Sequence, residues 1–141
     1  GRLQQFDTPM NIYNHPANRF VAEFVGSPSM NFVEGRIERG TFVAEEIEFA
    51  VDRADGDVSL GIRPEHVHVV TEPQDGAIRA SVYVTELMGN ETFVFLSVGP
   101  HRLIARAPAD FRAEVESTVW LRLEIEKAHF FPKKQSPDYT D

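Results

Sequence analysis

The chain has 141 residues, 22 acidic against 14 basic side chains for a net charge of −8, and no cysteine. That length suits one domain with a core of its own. The missing cysteines exclude disulfides, thiolate metal sites and a cysteine nucleophile, and the acidic balance opposes phosphate-backbone binding, which draws on Lys and Arg.

The first thirty residues read differently from the rest. Gly1-Arg2-Leu3-Gln4-Gln5 is neither a basic leader nor an apolar run, so it reads as a cut inside a longer chain, with a cytosolic expectation. Thr8-Pro9 is a helix-start signal and predicts a short helix over Pro9–Asn14, which must stop before Pro16. Asn18 can cap a second helix, with Phe20, Val21, Phe24 and Val25 forming an apolar stripe to Val25; Gly26 and Pro28 end it.

From Met30 onward the pattern is strand and turn. Strands are expected at Asn31–Glu38, Thr41–Val51, Val58–Ile62, His66–Thr71, Ala77–Met88, Glu91–Val98, His101–Ala107 and Thr118–Glu126. Gly89-Asn90 is a two-residue hairpin signal, since both residues tolerate positive φ. Seven or eight short strands without strand–helix–strand crossovers indicate an all-β fold, a small antiparallel barrel or sandwich. The lysines, proline and small polar residues from Lys133 read as a solvated tail.

Enzymatic chemistry finds no purchase. No G-x-x-x-x-G-K-[ST], G-x-S-x-G, H-E-x-x-H or EF-hand pattern occurs, and the lysines (Lys127, Lys133, Lys134) lie far from any glycine-rich loop. His66 and His68 share one side of an extended segment, and Glu65 could complete a metal set, but an outward face beside inward Val67 and Val69 explains them as well. Glu45, Glu46 and Glu48 read as a solvated strand edge. Asn90-Glu91-Thr92 fits the glycosylation pattern without a secretion signal to support it. Neither catalytic residues, cofactor nor metal ligands are therefore assigned within this chain.

Aromatic content is the stronger signal. Among 11 phenylalanines, Phe93 and Phe95 alternate with Val94, Leu96 and Val98, so both faces of that strand are apolar. Either it is buried on both sides or one face meets a partner. Phe20, Phe24, Phe93 and Phe95 are the candidate interface. Single-stranded nucleic acid would need a basic groove beside such rings, and the arginines here are scattered among the acids, so no nucleic-acid partner is expected.

Several local patterns then stand in a recognisable order: Gly1-Arg2 with Gln4-Gln5, Pro9, Ile12-Tyr13, the run Pro16-Ala17-Asn18-Arg19-Phe20-Val21-Ala22-Glu23-Phe24-Val25-Gly26-Ser27-Pro28, and Met30-Asn31-Phe32. They resemble the segment after the nucleotide-binding domain in ATPase subunits of carbohydrate ABC importers of the maltose and glycerol-phosphate transporter kind. Leu60-Gly61-Ile62-Arg63-Pro64-Glu65-His66 and Glu86-Leu87-Met88-Gly89-Asn90-Glu91-Thr92 are similar to two hallmark stretches of that family's C-terminal transport-associated OB (TOBE) domain.

The resemblance implies a small OB-like barrel, akin to molybdate-binding (MOP-like) domains, over 29–132. Residues 1–28 would be a remnant strand of the ATPase domain plus two connector helices, and 133–141 a flexible tail. It implies a non-catalytic regulatory and dimerising role in an importer for sugars or related small solutes, with ATP and Mg on a preceding domain. It further implies a homodimer, membrane subunits reached through the full chain, a regulatory protein in some members, and a place at the cytoplasmic face of the membrane without insertion. Gly61, Arg63, Pro64, Glu65, His66, Gly89, Asn90 and Glu91 are its motif residues. Physically they read first as architecture: Arg63-Pro64 ends a strand, Arg63 and Glu65 can pair or bind nearby backbone, and Gly89-Asn90 fixes hairpin register. The rival reading is a small-ligand or oxyanion-binding OB domain, with Glu91 reaching a ligand at the barrel mouth.

Overall fold

The structure, a computed structural model, describes residues 9–19, 22 and 28–133. A six-residue helix α1 (Pro9–Asn14) precedes ten strands: β1 (Asn31–Glu38), β2 (Thr41–Ala44), β3 (Ile47–Ala50), β4 (Gly56–Ile62), β5 (Val67–Val70), β6 (Ile78–Met88), β7 (Glu91–Val98), β8 (His101–Pro108), β9 (Thr118–Leu123) and β10 (His129–Pro132). The expected pair of connector helices is not supported. One short helix stands there, and most of the Asn18–Val25 segment, like residues 1–8 and the tail after Lys133, lies outside the described residues. None of the described helices is long and apolar enough to cross a membrane.

The all-β expectation holds, with two more strands than the alternation suggested. Thr41–Val51 splits at Glu45-Glu46, where Glu46 takes a left-handed φ of 63° and folds the segment back on itself. His129–Pro132 pairs with β4, although its proline and paired phenylalanines carry no alternation.

Both sheets are antiparallel, ordered β10-β4-β1-β2-β3 and β5-β9-β6-β7-β8. In the second sheet the two edges, β5 and β8, touch each other, so that sheet curls into a barrel. Period-2 patterning explains which residues go inside. On β7, Thr92, Val94, Leu96 and Val98 are buried while Glu91, Phe93, Phe95 and Ser97 are only half-buried. Val33, Ile37, Phe42, Leu60 and Ile62 of the first sheet join Val82, Val94, Leu96, Val119 and Leu121 of the second in one core.

Asn31 joins the sheets. Its side-chain amide donates to the Ile104 carbonyl at 2.9 Å and its oxygen accepts from the Ile104 N–H at 2.7 Å, so one side chain replaces a ladder pair on β8. Asn31 is buried, and losing it would strand two backbone groups away from water. Gly61, opposite Phe32 on β1, is required for close approach: a Cβ there would lie 2.5 Å from the Met30 sulfur and 2.9 Å from the Phe131 ring.

Three substitutions have expected outcomes in chemical denaturation. Asn31→Ala should cost on the order of 2–3 kcal/mol by orphaning both Ile104 groups. Asn31→Asp should be comparably unstable at neutral pH but recover on acidification: the protonated acid can both donate and accept, so the folded state binds the proton more tightly and stability falls as pH rises. Gly61→Ala should cost roughly 1–3 kcal/mol through overpacking, because the Phe131 ring must move.

Candidate functional site

β4 ends at Ile62, Arg63 stays extended (φ −73°, ψ 148°), and Pro64 opens a single 3-10 turn over Pro64–His66. Proline suits that first position, where its fixed φ is helical and its missing N–H is not needed. The turn lies against β8. Glu65 is thereby carried to Arg106, whose Nη1 is 3.5 Å from Glu65 Oε1. Arg106 also donates from Nε to Glu91 Oε1 at 2.8 Å. One guanidinium thus bridges the two hallmark stretches.

α1 closes the cluster from the other side. Tyr13 donates its hydroxyl to Glu65 Oε2. Arg63, only 2% exposed, donates from Nη2 to the Tyr13 carbonyl at 3.0 Å and places its Cζ 4.1 Å from the Tyr13 ring centroid. A second clamp lies further along: Arg19 bonds Ser59 Oγ at 3.0 Å, pairs with Glu34, and rests 4.3 Å from the Phe32 ring centroid. The segment before the barrel is therefore fixed to it at Tyr13 and at Arg19.

The cluster's electrostatics are mutually consistent. Burial, reinforced by the Glu65 hydrogen bond and charge, pushes the Tyr13 hydroxyl up to about 12. Burial also acts to raise the Glu65 carboxyl, but the Tyr13 hydroxyl, Glu65's own backbone, and the charges of His66 and Arg106 outweigh it, leaving that carboxyl below its ordinary value. Burial lowers Arg63, against the pull of Tyr13 and Glu65. The Glu91 hydrogen bond raises Arg106 despite a desolvation cost. Beside the turn, burial and then the charges of Arg63, His15, His66 and Arg53 hold the His129 imidazole below its usual range.

Of the motif residues, Arg63, Glu65 and Glu91 converge here, and Gly61 sits behind them as a packing position. Of the two roles expected for Arg63 and Glu65, Arg63 takes the backbone one, bonding the Tyr13 carbonyl, while Glu65 accepts from the Tyr13 hydroxyl and faces Arg106. Glu91 reaches Arg106. The two-residue hairpin is formed as Gly89-Asn90 signalled, with a positive φ at Gly89 (66°) and not at Asn90, the pattern of a type II′ turn. His66 lies in the 3-10 turn and not on a strand, which removes the shared face with His68; its Nδ1 is buried without a hydrogen-bond partner among the described residues. His68 pairs with Glu124 instead, and among the described residues no three His, Asp or Glu side chains gather as a metal set. Phe93 and Phe95 lie half-buried on the outer face of β7, while Phe20 and Phe24 fall outside the described residues.

Sequence reading missed Arg106, Arg19 and the side-chain role of Tyr13. Arg106 carried one usable signal, its position on the outward register of β8 across from Phe93.

Because the carboxyl of Glu65 is held low, its contribution to stability is present above the ordinary carboxylate value and is lost as pH falls through the depressed one. Tyr13, held high, contributes fully below the ordinary tyrosine value of about 10 and loses that contribution as pH rises through about 12. Tyr13→Phe should raise the Glu65 titration midpoint, observed by carbon-detected NMR, since burial then acts with less opposition. It should also cost about 1 kcal/mol in urea unfolding at neutral pH.

Profile comparison places a MalK OB fold domain over residues 26–67 and a TOBE domain over residues 60–131. The chain is 36% identical to the multiple sugar-binding transport ATP-binding protein MsmK of Streptococcus mutans, across 93% of this chain and 39% of that protein. It is 32% identical to the oligosaccharides import ATP-binding protein MsmX of Bacillus subtilis, across 93% and 40%. It is 33% identical to the sn-glycerol-3-phosphate import ATP-binding protein UgpC of Salmonella typhi, across 93% and 39%. The chain spans about two fifths of the length of these relatives. With its two hallmark stretches meeting at Arg106 and its curled antiparallel sheet, the chain belongs to the TOBE domain family, built on a MalK-type OB fold.

Proposed function

We propose that this chain is the C-terminal regulatory and dimerising domain of an ATP-binding subunit of an ABC importer for sugars or related small solutes. The observation that carries this reading is similarity to such subunits across 93% of the chain. ATP and Mg would be bound by a preceding domain, and the assembly would sit at the cytoplasmic face of the membrane through its membrane subunits. The domain's work is mechanical. Contact between two copies keeps the paired ATPase domains at high effective concentration while they open and close. A regulatory protein that binds one arrangement better shifts the equilibrium by its difference in affinity.

The two clamps give this role a physical basis. A segment held only at its chain junction would swivel; one tied through Tyr13 to the Pro64–His66 turn and through Arg19 to β1 and β4 moves with the barrel. Movement of a preceding domain would then pass into the barrel and on to its partner copy.

The longer gene product should hydrolyse ATP and sediment as a dimer, while the 141-residue chain turns over no nucleotide. ATP hydrolysis by this chain alone overturns the reading. In the longer protein, Tyr13→Phe combined with Arg19→Ala should keep ATP hydrolysis yet reduce solute uptake into reconstituted vesicles several-fold. Uptake at the unaltered rate removes the coupling role.

A further inference from the structure

Two Asp-Gly sequences occur in the chain, Asp55-Gly56 and Asp75-Gly76. Aspartate before glycine is chemically vulnerable, because the following nitrogen has no neighbouring Cβ to shield it from the carboxyl group. All four residues are exposed, and a Cβ at either glycine would meet nothing within 4 Å. Sequence and access therefore do not separate the two sites. The backbone around them does.

Asp55-Gly56 is restrained on both sides of the peptide bond. Asp55 Oδ1 accepts from the Arg39 N–H at 2.9 Å, in the turn between β1 and β2. Gly56 opens β4 in register with Ile37 of β1. Bringing the carboxyl group onto the Gly56 nitrogen means leaving Arg39 and turning that peptide against the ladder. Asp75 has neither restraint. It lies between β5 and β6 in a turn closed by the Ala77 N–H, which donates to the Gln74 carbonyl at 3.1 Å. Among the described residues nothing bonds the Asp75 carboxylate or the Gly76 N–H. The Asp75–Gly76 peptide is the central one of the turn, and Gly76, with φ 78°, sits where a type II turn requires a positive φ. Such a peptide rotates without breaking the closing bond, and glycine accepts either orientation at little cost.

We infer that Asp75 is where this folded chain acquires isoaspartate, a modification that makes the turn a substrate for a carboxyl methyltransferase using S-adenosylmethionine. The Gly76 nitrogen bonds Asp75 Cγ and gives up its proton, the carboxyl group loses an oxygen as water, and a five-membered succinimide closes. Water then opens the ring. Breaking the nitrogen–Cγ bond restores aspartate. Breaking the bond from nitrogen to the Asp75 carbonyl carbon leaves the backbone running through Cγ, with one extra methylene and a free α-carboxylate. No cofactor or oxidant enters, and the net composition is unchanged. The fold tolerates the product because Thr71 to Gly76 are all exposed and core packing resumes only at Ile78. The chemistry of this turn stands whether or not the importer reading holds.

The test is warm incubation of the 141-residue chain at mildly acidic pH, with and without urea. Methyl labelling from S-adenosylmethionine then reports isoaspartate, and peptide mapping with electron-transfer fragmentation locates it. In the folded chain, isoaspartate should gather at Asp75 several-fold faster than at Asp55. In urea the two rates should converge, because both pairs share the same intrinsic chemistry once the restraint on Asp55 is gone. Equal rates in the folded chain, faster conversion at Asp55, or no isoaspartate at Asp75 overturns the inference. A preference for Asp75 that persists undiminished in urea also overturns it, since the folded backbone would then have no part in the choice.

Discussion

β8 is the strand on which the two halves of the molecule agree, and a single asparagine makes the agreement possible. An edge strand offers unpaired backbone groups that must be satisfied or exposed. Asn31 meets both groups of Ile104 with its own amide, so the first sheet closes the second without adding a strand. Two residues further along β8, Arg106 draws in Glu65 and Glu91. If Ile104 were free to shift, Arg106 would lose its fixed distance from either carboxylate. The polar cluster is thus only as well placed as the amide contact beneath it.

The cluster also shows how a strongly acidic domain handles its charge. Burying a carboxylate is costly unless it is bonded and compensated. Glu65 receives a hydroxyl from Tyr13 and a nearby guanidinium from Arg106, while Arg63 is bonded by the Tyr13 carbonyl, stacked on its ring and attracted by the Glu65 charge. Each buried charge has partners supplied by distant parts of the chain. Removing one leaves its neighbours in a poorer environment, which is why such networks respond as units.

Strand existence was legible because most strands alternate cleanly, as Thr92, Val94, Leu96 and Val98 do against Glu91, Phe93, Phe95 and Ser97. Where alternation gave out, the reading gave out too. The left-handed Glu46 that divides β2 from β3 is a non-glycine residue in a conformation usually reserved for glycine, and β10 contains a proline and adjacent aromatics. The site was legible only in its local parts. The turn at Pro64 and the hairpin at Gly89 follow from nearby residues, but Tyr13 and Glu65 are 52 positions apart, and no periodicity connects them. Asn31 was visible as part of a familiar triplet, whereas its partner is a backbone 73 positions away.

That separation has a bearing on how the molecule forms. A ribosome delivers β1 and β4 early, but β4 acquires its second neighbour only when His129–Pro132 emerges, and the amide of Asn31 has nothing to grip until Ile104 has been made. Closing loops of this length costs entropy before any contact compensates for it. The first sheet therefore stays unfinished while β5 to β9 are made, and its cooperative closure waits for β10.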